Sequence, residues 1–165
     1  MAKIAKICYT QTDMPTLEQF ITALETSAPG GKQGIGLVVG GGAAEKQVTQ
    51  VVENAGHKTV TLALTEDTET GIASALVTLA TAATRGDWLI ISLEMPFLDP
   101  ALYNALRNVS DYGYLDFSLR PVTRYTGIIR PHPDFRVVVV TTQEILNGLN
   151  HPRFLDLCGP IVRFE

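Results

Sequence analysis

Gly40-Gly41-Gly42-Ala43-Ala44-Glu45-Lys46-Gln47 is the stretch of this 165-residue chain whose spacing comes nearest to ligand chemistry. Set against the phosphate-binding pattern G-x-x-x-x-G-K-[ST], it keeps Gly40 as the first glycine and a lysine at 46. The second glycine is replaced by Glu45 and the hydroxyl residue by Gln47. A loop of this kind works by aiming backbone N–H groups at phosphate, with the lysine on the outer phosphates and a small hydroxyl on magnesium. Glu45 brings a carboxylate next to phosphate charge. Like charges about 4 Å apart repel by about 4 kcal/mol at an effective dielectric of about 20. Gln47 offers only an amide oxygen, a poorer match to the metal. The composition of the stretch therefore favours a glycine turn that only joins strand to helix. The competing reading is weak binding of an anion, ATP or ADP at the helix N-terminus, using Gly40, Gly41, Gly42, Lys46 and Gln47.

Cleavage of a nucleotide also needs an acidic pair at a strand end, one acid for the magnesium shell and one to polarise the attacking water. Trp88-Leu-Ile-Ile-Ser-Leu-Glu94 places Ser92 and Leu93 at those positions. Glu94 is one residue late, and because strand side chains alternate it shares the face of Ser92. A bulge would let Glu94 take the acid's role, but a loop or helix-start carboxylate is the favoured reading. A stand-alone phosphate-transferring enzyme with Glu94 as base is the rival class, and the eroded loop speaks against it. No Ser–His–Asp or Cys–His set is suggested by sequence neighbourhood.

The elements that would position these residues alternate regularly. Pro15–Ala28 carries Leu17, Phe20, Ile21 and Leu24 at helical spacing, opened by proline and closed by Pro29-Gly30-Gly31. Ile35–Val39 is an apolar run suited to a buried parallel strand, and Val48, Val51, Val52 and Ala55 trace one helical face after it. Thr59–Leu64 reads as a strand, and Thr65 as the cap of a helix running to Arg85 with Glu66 and Asp67 at its positive end. Trp88–Ile91 is a strand, Asp99–Val109 a helix, Phe135–Val140 the most β-prone strand, Gln143–Leu149 a short helix and Ile161–Phe164 a fifth strand. Residues 1–34 form a lead-in with one helix. Residues 110–131, rich in Tyr, Arg, Gly and Pro, read as an irregular insert, a loop or short hairpin. Such alternation specifies one α/β domain with a parallel sheet between helices.

Composition narrows the function classes. Apolar residues at 45% and charged residues at 18% fit a globular domain and not a disordered one. A net charge of -4, with no basic run, argues against nucleic acid or anionic lipid as the main partner. Cys8 and Cys158 form no CxxC pair and His57, His132 and His151 are scattered, so neither zinc nor a disulfide is supported. No apolar run approaches a signal peptide or membrane span, and a cytoplasmic, reduced protein is expected. The chain closes on Ile161-Val-Arg-Phe-Glu165, as a fragment of something longer would. Trp88 is expected in the core or an interface, His132 in loop ordering, and Cys158 buried beside the last strand. Arg120, Arg124 and Arg130, with Tyr112, Tyr114 and Tyr125, suit a contact between protein modules better than a nucleic-acid site.

Three segments resemble the AAA+ modules of dynein heavy chains, the microtubule motors, and more distantly those of midasin. RGDWLIISLEMPFLDPALYNALRN (Arg85–Asn108) is similar to their helix, Gly-x-Trp, strand and helix; HPDFRVVVVTT (His132–Thr142) to the strand leading to a sensor position; and FLDLCGPIVRFE (Phe154–Glu165) to the Ser-Arg-Cys-Gly segment before the last core strand. The matches span about residues 35–165, and their order and spacing carry the likeness. It implies a P-loop NTPase (AAA+) three-layer sandwich with five parallel strands in the order 5-1-4-3-2. It also implies a degenerate module: Gly40 and Lys46 remain of the loop, the acidic pair falls on Ser92 and Leu93, the polar sensor on Thr141 or Thr142, and the arginine that reaches a neighbour's nucleotide on Leu157. Arg153, four residues earlier, is the nearest replacement. The partners implied are neighbouring AAA+ modules of the same heavy chain, with microtubules met only through the parent motor at the cytoskeleton. No cofactor beyond weakly held ATP or ADP is expected.

Overall fold

Apolar β-branched runs and amphipathic stretches take turns along the chain, and in the computed structural model each becomes a strand or helix of one layered domain. The structure describes residues 7–9, 17–27, 34–65, 69–118, 121–122 and 125–164. In chain order the elements are β1 (Ile7–Tyr9), α1 (Leu17–Glu25), β2 (Ile35–Val39), α2 (Ala44–Asn54), β3 (Thr59–Leu64), α3 (Glu69–Arg85) and β4 (Trp88–Leu93). There follow α4 (Pro100–Tyr112), β5 (Leu115–Asp116), β6 (Ile128–Ile129), β7 (Arg136–Thr141), α5 (Gln143–Asn147), a 3-10 turn at Phe154–Leu157 and β8 (Pro160–Arg163).

Six strands form one parallel sheet in the order β1-β8-β2-β7-β4-β3. The expected order of five strands differs from this by the added edge strand β1, which pairs with β8 from Ile7↔Pro160 to Tyr9↔Val162. The lead-in gave no sign of it, because three residues are too few to show a period of two. In residues 110–131 the short-hairpin alternative is seen, since β5 and β6 pair antiparallel, and α4 runs on past the expected Val109 to Tyr112, where Gly113 closes it with φ 77°. The helix expected after Thr65 is seen as α3 from Glu69 on; Glu66 and Asp67, which would follow the cap, lie outside the described residues, as do Pro15 and Ala28 at the ends of the expected first helix. Among the described residues no helix is long and apolar enough to cross a membrane.

Alternation along the central strands divides the core in two. Val38, Trp88, Ile90, Val138, Val140 and Val162 face α1 and α2, packing on Phe20, Ile21, Leu24, Ala44, Val48 and Val52. Their neighbours Leu37, Val39, Leu89, Ile91, Leu93, Val137, Val139 and Ile161 face α3 and α4 on the other side. With both faces covered, β2, β4 and β7 are buried along their whole length, which is why they read as unbroken apolar runs. Gly36 allows α1 to come close, since a Cβ there would lie 2.7 Å from Phe20 Cζ and 2.8 Å from Leu24 Cδ1.

One buried charge secures α1. The Arg136 side chain, at the first position of β7, donates from Nε to Leu24 O at 2.7 Å and from Nη2 to Ser27 O at 2.7 Å and Glu25 O at 3.2 Å. Its Nη1 donates to Pro133 O and Phe135 O, both at 2.8 Å. The last carbonyls of a helix have no partner within it, and here a cation supplies partners and also meets the negative end of the helix dipole. Burial pushes the guanidinium below its ordinary pKa, while Asp134 and Glu25 hold it up. Beside it Trp88, the register partner of Arg136, stacks on His57 with ring centroids 4.6 Å apart, and His57 Nε2 meets Glu25 Oε2 at 2.6 Å. Arg136→Ala should therefore lower stability by about 3 kcal/mol, since charged hydrogen bonds are lost and carbonyls stay buried. Urea unfolding followed by the fluorescence of Trp88 measures this, and an unchanged midpoint would refute the anchoring role.

Candidate functional site

The carboxyl ends of parallel strands are where an α/β sheet offers a crevice. Here that end is formed by Gly40 after β2, Ser92 and Leu93 at the end of β4 with Glu94 after it, Thr141 at the end of β7 with Thr142 after it, and the loops that follow.

The glycine stretch makes a tight connection of four residues, 40–43, between Val39 and Ala44. Gly40 N–H donates to Thr141 O at 2.8 Å and Ala44 N–H donates to Gly41 O at 3.0 Å, so these two amides of the stretch are engaged by the backbone. Gly40 is buried, and a Cβ there would lie 3.2 Å from Ala44 Cβ and 3.3 Å from Phe164 Cδ2. Its glycine is required by packing. Gly41 and Gly42 are exposed, and a Cβ on either would meet nothing within 4 Å. Helix α2 starts two residues before Lys46, so Glu45, Lys46 and Gln47 all lie inside its first turns. Lys46 and Gln47 line an open, mostly apolar groove of about 490 Å³ on the flank of α2, together with Leu17, Glu18, Gln50, Val51 and Phe164.

At the strand end opposite, Ser92 and Leu93 take different faces. Ser92 is buried on the α2 side, and its Oγ donates to Glu94 Oε2 at 3.0 Å. Glu94 itself is exposed. The expected sharing of a face by Ser92 and Glu94 thus appears as a hydrogen bond. Leu93 points the other way, 2% exposed, into the core beneath α3 and α4. The two sensor candidates have separate backbone tasks. Thr141 Oγ1 donates to Leu93 O at 2.8 Å, and Thr142 Oγ1 accepts from Ile145 N at 3.2 Å to cap α5. Leu157 is buried, and its carbonyl accepts from Ser110 Oγ at 3.2 Å. Arg153 is exposed and pairs within its own turn, Nε to Asp156 Oδ2 at 2.9 Å.

A fastening that the sequence reading missed lies over the same end. Asn150 brackets Leu98 by accepting from its N–H at 2.8 Å and donating to its carbonyl at 3.0 Å. His151 Nε2 meets the same carbonyl at 2.9 Å, and its ring stacks on Tyr103 at 4.0 Å with planes 6° apart. The loop after β4 is thereby tied to the loop after α5. Asn150-His151-Pro152 reads as a turn in sequence, but nothing in its spacing names a carbonyl 52 residues away.

The tyrosines of 110–131 take separate places. Tyr112 stacks on Tyr114 at 5.8 Å, whereas Tyr125 turns to Phe117 and to Thr81, its hydroxyl 3.1 Å from Thr81 Oγ1. Arg120 and Arg124 lie outside the described residues. His132 packs over Gly86, where a Cβ would come within 2.5 Å of its Nδ1, and its N–H donates to Ala83 O at 2.8 Å. Cys158 is buried, its Sγ 3.9 Å from Phe154 O. Among the described residues no three His, Cys, Asp or Glu side chains are placed to hold a metal.

Compared with models of known protein families and with curated proteins, the chain matches none.

The loop geometry separates the three glycines. Gly42→Ala should be tolerated, or stabilise by about 0.5 kcal/mol by restricting the unfolded chain, because the site is open and its φ is not positive. Gly40→Ala should destabilise by about 1–3 kcal/mol through overpacking against Phe164. Thermal unfolding of the two variants tests this order, and an equal loss in both would show that the loop needs glycine for another reason.

Proposed function

We propose that this chain is a non-hydrolysing structural module of an AAA+ ring, of the kind found in dynein-like motors. In this reading hydrolysis elsewhere in the ring drives movement and the module braces or transmits it. What supports the reading is the fate of the acidic strand end. Where a metal-holding acid and a water-polarising acid would stand, Ser92 bonds to Glu94 and Leu93 is sealed in the core. A carboxylate in place of Leu93 would sit in an apolar cluster, where an unpaired charge is strongly disfavoured. Lys46, the remaining cation of the loop, lines the groove beside α1. Neither side of the crevice therefore organises Mg²⁺ and a triphosphate together.

The segments that carry the resemblance fall on β4 and α4, on β7, and on the 3-10 turn with β8. They thus belong to the sheet's central frame, and this favours a module of such a ring over a stand-alone phosphate-transferring enzyme. Its partners in this proposal are the neighbouring modules of a longer chain, with microtubules reached through the parent motor at the cytoskeleton.

Phosphate release and calorimetric titration with Mg-ATP test the proposal together. The expected outcomes are no release above background and no binding near the micromolar range, which would correspond to about 8 kcal/mol. Turnover of about one per second, an ordinary enzyme rate, would overturn it. Micromolar binding without turnover, abolished by Lys46→Ala, would replace it with a module that holds nucleotide for regulation.

A further inference from the structure

We propose that β3 is a self-pairing edge, through which two copies of this chain join antiparallel about a two-fold axis at Thr61 into one continuous sheet. Among the described residues β3 is the outermost strand on its side, paired only with β4. Natural edge strands are usually blunted by brevity, bulges, proline or inward charges. Thr59-Val-Thr-Leu-Ala-Leu64 has none of these: its register with β4 is unbroken over six residues, and it holds no Pro, Gly or charged residue.

The direction of the peptide groups sets the register. Lys58 O accepts from Trp88 N at 2.8 Å and Leu64 O accepts from Glu94 N at 3.2 Å, so the even-numbered residues turn their backbone groups toward β4. Residues 59, 61 and 63 must then present theirs outward. An antiparallel partner satisfies all three when Thr61 meets Thr61 of the second copy and Thr59 meets Ala63. That ladder has about six hydrogen bonds, two for each facing pair.

The side chains suit the same register. Val60 and Leu62, half-buried and packed at the margin of the α3 core, stand opposite each other across the axis, where such pairs add cross-strand stabilisation. Thr61 and Ala63 are exposed on the other face, so no charge meets its like there. Exposed Lys58 of each copy comes beside Leu64 of the other, so the two ammonium groups lie at opposite ends of the ladder and do not face each other. A two-fold interface must be complementary to itself, and this strand is.

The experiment is sedimentation equilibrium of the full chain at concentrations on the order of 100 µM, where small interfaces become populated. A mass approaching twice 17.9 kDa is expected for the unaltered protein. Thr61→Lys sets two ammonium groups face to face and should give the single mass with an unchanged melting temperature. Thr61→Cys should form a disulfide-linked dimer in air, because hydrogen-bonded pairs place Cα atoms about 5.5 Å apart. The unaltered protein, with its own two cysteines, runs beside it as control. A single mass for the unaltered protein, a dimer that survives Thr61→Lys, or a mass that climbs past two copies would each overturn the proposal. If Thr61→Lys fails to fold, the Thr61→Cys cross-link decides, and its absence refutes the pairing.

Discussion

A guanidinium buried at the foot of the sheet is the constraint on which the rest of this structure depends. Arg136 begins the strand that separates β2 from β4, and it collects carbonyls from the end of α1 and from the turn that precedes its own strand. Desolvating such a charge is strongly unfavourable unless each N–H finds an oxygen, so the end of α1 is held in one place. Phe20, Ile21 and Leu24 then lie on Val38, Val138 and Val162, and each such buried side chain contributes about 1.5–3 kcal/mol. Directionality comes from the arginine and most of the stabilisation from the apolar face. The indole of Trp88 lies beside them with Nε1 lacking a hydrogen-bond partner among the described residues, so its place there rests on packing and on the stacked imidazole of His57.

At the carboxyl end of the sheet, packing and backbone hydrogen bonds occupy most of the residues singled out from the sequence. Leu93, Leu157 and Gly40 are all held by the core or by backbone contacts: one fills the α3 side, one fills the space beneath α4, and one makes room for Phe164. Thr141 spends its hydroxyl on the carbonyl of Leu93, and its own carbonyl accepts from Gly40, so three adjacent strand ends are pinned together. Asn150 and His151 fasten the loops after β4 and α5 to one another at Leu98. The groove between α1 and α2 is open and mostly apolar, and it owes its walls to the seating of α1 by Arg136.

Much of the fold was legible in local patterns. Apolar β-branched runs bounded by Gly and Pro marked β2, β4, β7 and β8, because a strand covered on both faces has no polar side to hide. Asp99 before Pro100 marked the start of α4, and the cap is seen in the bond from Ala101 N to Asp99 Oδ1 at 2.8 Å. The loss of the phosphate motif was legible too, since Glu45 and Gln47 are wrong for it by residue type alone. What stayed hidden was pairing at a distance. Strand β1, the carbonyl set around Arg136 and the clasp of Asn150 on Leu98 join segments from about 50 to 150 residues apart, and no periodicity records such a partner. The direction taken by Lys46 was equally out of reach, because it depends on where α2 begins and on the position of α1 beside it. Residue type and spacing by themselves decided which of the longer segments become strands or helices and how far the glycine stretch departs from the phosphate-binding pattern. Only the tertiary structure decided where each remaining polar group turns, because that direction is set by burial and by partners far away in the chain.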